Sequence, residues 1–322
     1  MLYLSDQDVR NLDLNWNDNT QVIENTIACI HENDFSQPVK PYLRYRDMKN
    51  RIIAMPAFVG GSINMSGIKW IASFPDNIQQ DLPRAHCVVV LNDPDTGIPA
   101  GILNSGTVSA IRTASVSGLV LKKYIQNRKP AGVKVGIIGF GPIGRYHLNM
   151  VHAVLGDAIA SVRIFDLKGV DLSAVSAGLQ DKVLVADSWQ EAYEDADVFI
   201  TCTASKERYI NQQPKAGSLH LNVSLRDYTT DVFPWFSGAI IVDDWKEVCR
   251  ENTDIEAFHK ENNLMEHQVK RLDDLISTDY FNELGPDQAI LFNPMGMASF
   301  DIAISSHYLN RALIEKVGVS LQ

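Results

Sequence analysis

Within the polar stretch 15–35, apolar residues recur at Val22, Ile23, Ile27 and Ile30, a spacing close to i, i+3, i+4 that turns one helix face toward a core. From residue 51 to 103 the texture changes to short apolar runs. They are split by Gly60-Gly61, Pro75-Asp76-Asn77 and Asp93-Pro94-Asp95-Thr96-Gly97, which predicts an antiparallel sheet. Residues 107–124 contain no proline and only Gly118, and return to helical spacing before the polar stretch Gln126-Asn127-Arg128-Lys129-Pro130. A domain boundary is expected there.

After Pro130 the chain alternates strand and helix at short intervals, the texture of a doubly wound parallel sheet. Strands are predicted at 133–138, 162–165, 183–185, 198–203, 219–223 and 240–242, about six in all. Ser188-Trp189-Gln190-Glu191 reads as a capping-box helix start. Residues 250–290 read as polar helix.

A length of 322 residues favours two domains over one core. With 45% hydrophobic and 21% charged residues the composition is that of a folded globular protein. No apolar run approaches the roughly 20 residues that span a bilayer. Met1-Leu2-Tyr3-Leu4 runs straight into Ser5-Asp6-Gln7-Asp8, which lacks the basic and apolar regions of a secretory signal, so a cytoplasmic protein is expected. Cys29, Cys87, Cys202 and Cys249 are scattered without a C-x-x-C pair and read as reduced thiols. The formal charge of −10 supplies no broad basic field for nucleic acid. Local positive charge gathers at Lys40, Arg44, Arg46, Lys49 and Arg51. No histidine pattern suggests a metal: His259 and His267 are eight apart on a predicted helix, beyond the i, i+4 spacing of a zinc motif.

The clearest chemical signal is Gly139-Phe140-Gly141-Pro142-Ile143-Gly144, placed between a Val/Ile strand and a helix. In a dinucleotide site the first glycine makes the tight turn, the second lets the pyrophosphate approach, and the third permits close helix–strand packing. The helix start adds free amides and partial positive charge. Asp166 ends the second strand, 22 residues after Gly144, where a carboxylate accepts the adenosine ribose hydroxyls and repels a 2′-phosphate. NAD is therefore the expected cofactor, with Thr201 and Thr203 at the end of the fourth strand beside its nicotinamide half.

Four segments together resemble the ornithine cyclodeaminase and mu-crystallin family over nearly the whole chain: Ser66-Gly67-Ile68-Lys69-Trp70, Ser73-Phe74-Pro75-Asp76-Asn77, Ser109-Ala110-Ile111-Arg112-Thr113-Ala114-Ser115, and the glycine turn. The resemblance implies an α/β protein: a Rossmann domain with a doubly wound parallel sheet, and an α+β substrate-binding and dimerisation domain to which the C-terminal segment returns. The corresponding spans are 129–299 for the first, and 1–128 with 300–322 for the second. It implies a homodimer, with Lys69 and Arg112 holding the substrate carboxylate beside the nicotinamide. Arg112 and Asn293 join the glycine turn, Asp166, Thr201 and Thr203 as expected cofactor contacts. A guanidinium fork suits a carboxylate, and a lysine can stabilise developing charge. The family's acid/base aspartate corresponds to Asp227. Here Ser224-Leu225-Arg226 precedes it, where cyclodeaminases carry a glycine-rich approach, which puts ring-forming chemistry in doubt.

A narrower resemblance rests on Gln37-Pro38-Val39-Lys40-Pro41-Tyr42-Leu43-Arg44, Arg51-Ile52-Ile53-Ala54-Met55-Pro56, Val242-Asp243-Asp244-Trp245 and Asn293-Pro294-Met295-Gly296-Met297-Ala298. These are similar to dehydrogenases that use NAD to oxidise N-(2-amino-2-carboxyethyl)-L-glutamate, releasing 2-oxoglutarate and the 2,3-diaminopropionate used in siderophores and peptide antibiotics. Three substrate carboxylates give Lys40 and Arg44 a use beyond the Lys69 and Arg112 pair. The alternatives are a cyclodeaminase, which borrows and returns hydride, and a crystallin-like binder without turnover.

Overall fold

A computed structural model describes residues 1–128 and 131–322; the expected boundary residues Lys129 and Pro130 lie outside the described residues. By packing, the chain divides into Met1–Ser115 with Gly296–Gln322, and Val116–Met295. The boundaries expected from the sequence fall after residue 128 and before residue 300. The helix Gly106–Arg128 is continuous, and the packing division falls inside it.

In the first unit, β1 (Leu2–Ser5), β2 (Phe35–Ser36), β3 (Tyr42–Leu43), β4 (Arg51–Val59), β5 (Met65–Ser73), β6 (Ala85–Asn92) and β7 (Pro99–Asn104) belong to one sheet. The run from β4 to β7 is antiparallel, as the turn-divided apolar runs predict, and β1 lies parallel to β7. The predicted early helix is Trp16–His31. Asn15 caps it by accepting from the amides of Asn17 and Asp18, and Ile23, Ile27 and Ile30 are buried. Each such side chain contributes roughly 1.5–3 kcal/mol by leaving water. The long helix Ala298–Glu315 packs on β4, β5 and the Trp16–His31 helix, burying Phe300, Ile302 and Ile304. It carries Asp301 into the same core.

The second unit is a parallel sheet of β8 (Val133–Ile138), β9 (Ile159–Phe165), β10 (Val183–Val185), β11 (Val198–Thr201), β12 (Leu219–Asn222), β13 (Ile240–Val242), β14 (Lys270–Arg271) and β15 (Ile290–Asn293). Their order is β10-β9-β8-β11-β12-β15-β13-β14. A final strand, β16 (Val319–Ser320), returns to the first sheet against β1. The order reverses direction at β8, so the β8 turn opens at a topological switch point. Six strands were expected and eight are present among the described residues. The two added ones, β14 and β15, are a two-residue polar strand inside the stretch read as helix and a four-residue apolar strand at its end. Ser188 does cap its helix, accepting from the Glu191 amide at 3.2 Å. The return bond differs from a full capping box: the Glu191 carboxylate accepts from the Asp187 amide at 2.9 Å, one residue earlier.

Candidate active site

The glycine turn is built as its sequence requires. Gly139 has φ +85°, and a Cβ there would stand 2.5 Å from the Cys202 carbonyl. At Gly144 a Cβ would meet the Gly139 carbonyl at 2.1 Å, so the helix could not approach the turn. Gly141 differs: a Cβ there would find nothing within 4 Å, which leaves room above the backbone for a bulky group. Pro142 opens the helix Pro142–Leu155, and no side chain caps its first turn. The amides of the first helical turn are therefore left without a side-chain acceptor, at the positive end of the helix dipole. Asp166 accepts the Phe140 amide at 2.6 Å and the Lys168 amide at 2.8 Å. Both bonds fix a carboxylate beside the turn and leave lone pairs for vicinal hydroxyls. Open space, uncapped amides and a fixed carboxylate fit a dinucleotide.

The strand ends of the same unit hold a second polar cluster. Thr203 Oγ1 donates to Asp227 Oδ1 at 2.5 Å, while Asp227 Oδ2 is buried without a hydrogen-bond partner. Thr201 donates to Asn222 Oδ1 at 2.8 Å, and Asn222 Nδ2 donates to Asn293 Oδ1 at 2.7 Å, so Thr201 and Asn293 are fully buried inside this network. Asp254 stands at its centre. Its Oδ2 accepts from Asn222 Nδ2 and from the amides of Asp227 and Tyr228, and its Oδ1 pairs with Arg208 at 2.7 Å. Burial pushes the Asp254 carboxyl above the usual carboxylate range despite those bonds. A buried chain pins the next residue. Ser218 donates to the Lys215 carbonyl, so His220 Nε2 carries the proton toward Ser218, and His220 Nδ1 accepts from the Tyr228 hydroxyl at 2.7 Å. Leu225 adopts φ +67°, a left-handed conformation that L residues other than glycine adopt at a cost of order 1 kcal/mol. Burial first, and Asp227 second, push the nearby Tyr209 phenol above its usual range.

In the first unit, Lys69 Nζ and Arg112 Nε both donate to Asp301 Oδ1, at 2.8 and 2.7 Å. All three side chains are buried. Lys69 also donates to Ser109 at 3.3 Å. Burial, reinforced by Arg112, pulls the Lys69 ammonium below its usual range against the attraction of Asp301. Burial pushes Asp301 the opposite way, yet Arg112 and Lys69 outweigh it and hold its carboxyl below the usual range. Two cations against one anion leave this trio with net positive charge inside the protein, which an anionic ligand would neutralise. Gly296, at φ +88°, lets the Arg112 fork lie against the backbone, since a Cβ there would meet Nη1 at 2.7 Å. Lys40, which charge alone would place in solvent, is 3% exposed and donates to the Gly296 carbonyl at 2.8 Å. Arg44 lies elsewhere, its guanidinium 4.9 Å above the Tyr42 ring.

Sequence reasoning missed Asp301, Asp254, Tyr209 and Gly296. Asp301 had a signal, as the one acid in the apolar run Ala298-Ser299-Phe300-Asp301-Ile302-Ala303. Asp254 was hidden by reading residues 250–290 as a polar helix surface. Among the described residues no group of three or more His, Cys, Asp or Glu could hold a metal ion. Nor is any described helix long and apolar enough to cross a membrane.

A Rossmann unit with an open glycine turn, joined in one chain to a mixed-sheet unit with a buried cationic trio, defines a class of nucleotide-dependent protein. The chain belongs to the ornithine cyclodeaminase/mu-crystallin family, which matches residues 3–313. It is 32% identical to the N-((2S)-2-amino-2-carboxyethyl)-L-glutamate dehydrogenase of Staphylococcus aureus, over 100% of this chain and 98% of that protein. The alanine dehydrogenase of Archaeoglobus fulgidus is 24% identical over 100% of this chain and 98% of its own. Among solved structures, the Thermococcus litoralis Delta(1)-pyrroline-2-carboxylate reductase in complex with NADH and L-proline superposes with a TM-score of 0.87 at 21% identity, covering both chains completely. An archaeal alanine dehydrogenase dimer with bound NAD gives 0.83 at 20% identity, over 100% of this chain and 99% of that one. These two structures share the fold.

Proposed function

We propose that this protein is an NAD-dependent dehydrogenase that oxidises the CH–NH group of N-(2-amino-2-carboxyethyl)-L-glutamate. The observation that carries the reading is the buried Lys69–Arg112–Asp301 trio, whose excess positive charge calls for a carboxylate next to the reacting carbon. The full-length similarity to the S. aureus enzyme supports the choice of substrate.

Gly139, Gly141, Pro142, Ile143 and Gly144 hold the pyrophosphate of NAD, and Asp166 its adenosine ribose. Thr203 lines the nicotinamide side, and Thr201 and Asn293 hold that side's strand ends in place. When bound, NAD accepts the hydride that leaves the glutamate α-carbon. The chain's own residues prepare that carbon. Lys69 and the Arg112 fork hold the α-carboxylate, which fixes the orientation of the carbon–hydrogen bond, and in this reading Arg112 is also a cofactor contact. Asp227 takes the proton that the secondary amine must lose as its nitrogen forms the imine, using the oxygen that has no internal partner. Water then hydrolyses the imine to 2-oxoglutarate and L-2,3-diaminopropionate, the latter a building block of siderophore or antibiotic type. Lys40 supports the Arg112 region through Gly296, and Arg44 supplies further positive charge to a tricarboxylate. The working assembly in this reading is a homodimer, supported by the dimer described for the archaeal alanine dehydrogenase.

The test is absorbance in the NADH band with a panel of N-substituted glutamates beside ornithine, lysine and alanine. NADH is expected to accumulate with N-(2-amino-2-carboxyethyl)-L-glutamate. Proline and ammonia from ornithine, without NADH, would establish a cyclodeaminase instead. Binding without turnover of any panel member would establish a crystallin-like binder. Light scattering on the purified protein reads the assembly.

A further inference from the structure

Two arginines gather over one tyrosine at the end of the first sheet, and a third lies near one of them. Arg44 lies 4.9 Å and Arg51 5.7 Å from the Tyr42 ring centroid. Arg84 stands close enough to Arg51 that burial and then Arg51 lower its hold on a proton. Like charges brought together in this way repel unless an anion joins them. Arg51 Nε is buried without a hydrogen-bond partner. Among the described residues no carboxylate forms a salt bridge with Arg51 or Arg84, and the nearby acids Asp47 and Asp76 are taken by Lys49.

Strand register relates this cluster to the cationic trio. Arg51, Ile53 and Met55 alternate onto one face of β4, with Tyr42 paired opposite Ile53 and Lys69 opposite Met55. Directly paired residues share a face, so Tyr42, Arg51 and Lys69 are on the same side of the sheet. The Arg51 and Lys69 rows are about 13 Å apart at a strand rise of 3.3 Å per residue. The Tyr42 row, paired at Ile53, lies between the two, and the Arg51 guanidinium is 5.7 Å from its ring.

The geometry points to a second anion site, formed by Arg51 and Arg44 at Tyr42 with Arg84 beside Arg51, that takes the γ-carboxylate of the substrate's glutamate part. This rests on the substrate proposed above. The γ-carboxylate suits it because it stands alone, whereas the substrate's other distal carboxylate sits beside an ammonium that three guanidiniums would repel. A planar fork over an aromatic ring is also held ready for bidentate contact.

The test compares N-(2-amino-2-carboxyethyl)-L-glutamate with its γ-carboxamide, the glutamine counterpart, by steady-state kinetics and by calorimetric titration of the protein without NAD. Wild type is expected to prefer the acid by at least tenfold, chiefly through KM and the calorimetric Kd. Arg51→Gln and Arg84→Gln should each reduce that preference severalfold, with kcat for the amide kept. Arg84→Gln is the safer variant should Arg51→Gln fold poorly, and Arg51→Lys should restore part of the preference. If wild type oxidises the acid and folded variants keep its full preference, the anion site is wrong and the reaction stands. If wild type neither binds nor oxidises the acid, the reaction is wrong and the site falls with it.

Discussion

Asp254 accepts the backbone amide of Asp227 at 3.1 Å, so a fully buried carboxylate holds the main chain of the proposed proton acceptor. The same oxygen takes the Tyr228 amide and the Asn222 side chain, and its partner oxygen takes Arg208. Asp254 thus acts through Asp227 and is a positioning residue. Asp254→Asn keeps one carbonyl acceptor but cannot satisfy all these donors. We expect kcat to fall about 10- to 100-fold, the scale of a small misplacement of a reacting group, with the Kd for NAD within about twofold of wild type. Stopped-flow kinetics and tryptophan quenching by NAD read the two quantities. Equal losses in both would make Asp254 merely structural.

Asp301 holds both cations of the trio on one oxygen. Asp301→Asn removes the charge and leaves two buried cations with a neutral partner, at a cost of about 3 kcal/mol or more in stability. Urea unfolding should show that loss as a lower midpoint with an unchanged slope. KM for the carboxylate substrate should rise as Lys69 and Arg112 lose their common anchor. A variant as stable as wild type would show that the trio relaxes by taking in water.

The glycine turn separates folding from binding. At Gly144 a Cβ would stand 2.1 Å from a backbone carbonyl, so Gly144→Ala must displace helix or turn and should lower Tm together with NAD affinity. At Gly141 a Cβ meets nothing within 4 Å, and its φ is −70°. Gly141→Ala should therefore leave Tm within about 2 °C, as expected for a change of ±0.5 kcal/mol or less in a protein of this size. NAD affinity should nevertheless drop at least tenfold, because the methyl group occupies the space reserved for the pyrophosphate. Scanning calorimetry with and without NAD checks both. Unchanged affinity in Gly141→Ala would remove the turn from the cofactor site.

The parts legible in the sequence are those with a local cause. The Val22-to-Ile30 spacing, the turn-divided runs of the first sheet and the strand–glycine–helix order at Val133–Gly144 each dictate their own backbone. The place of Asp166 beside the turn was readable because its distance from Gly144 follows from the lengths of one helix and one strand. Asp301 and Lys69 are 232 positions apart, and their pairing depends on how a distant helix packs on β5. No periodicity encodes that. Lys40 looked like a loop cation, and its burial under the Gly296 carbonyl is equally nonlocal. Leu225 shows a local rule overridden: its left-handed backbone favours glycine, yet the side chain is 5% exposed within the core, and burial offsets the strain.

Two buried histidines make stability depend on pH. Burial lowers His147 to about 4 and His220 to about 3, both from an ordinary 6.5. His147 donates from Nδ1 to the Ile143 carbonyl and accepts at Nε2 from Ser117, so it is held neutral inside its helix. Both folded values lie below the unfolded value, so the unfolded chain binds the extra protons. Stability is therefore complete above pH 6.5 and falls as the pH drops toward 4 for His147 and toward 3 for His220. Each contributes a loss of about 2 kcal/mol between pH 7.5 and pH 5. Asp254, raised by burial, works in the opposite sense above its ordinary range and reduces the total slope. His147→Gln keeps a donor and an acceptor without a titrating ring. Its urea midpoint should change less between pH 7.5 and pH 5 than that of wild type. Identical shifts in the two proteins would show that His147 takes up its proton in the folded state.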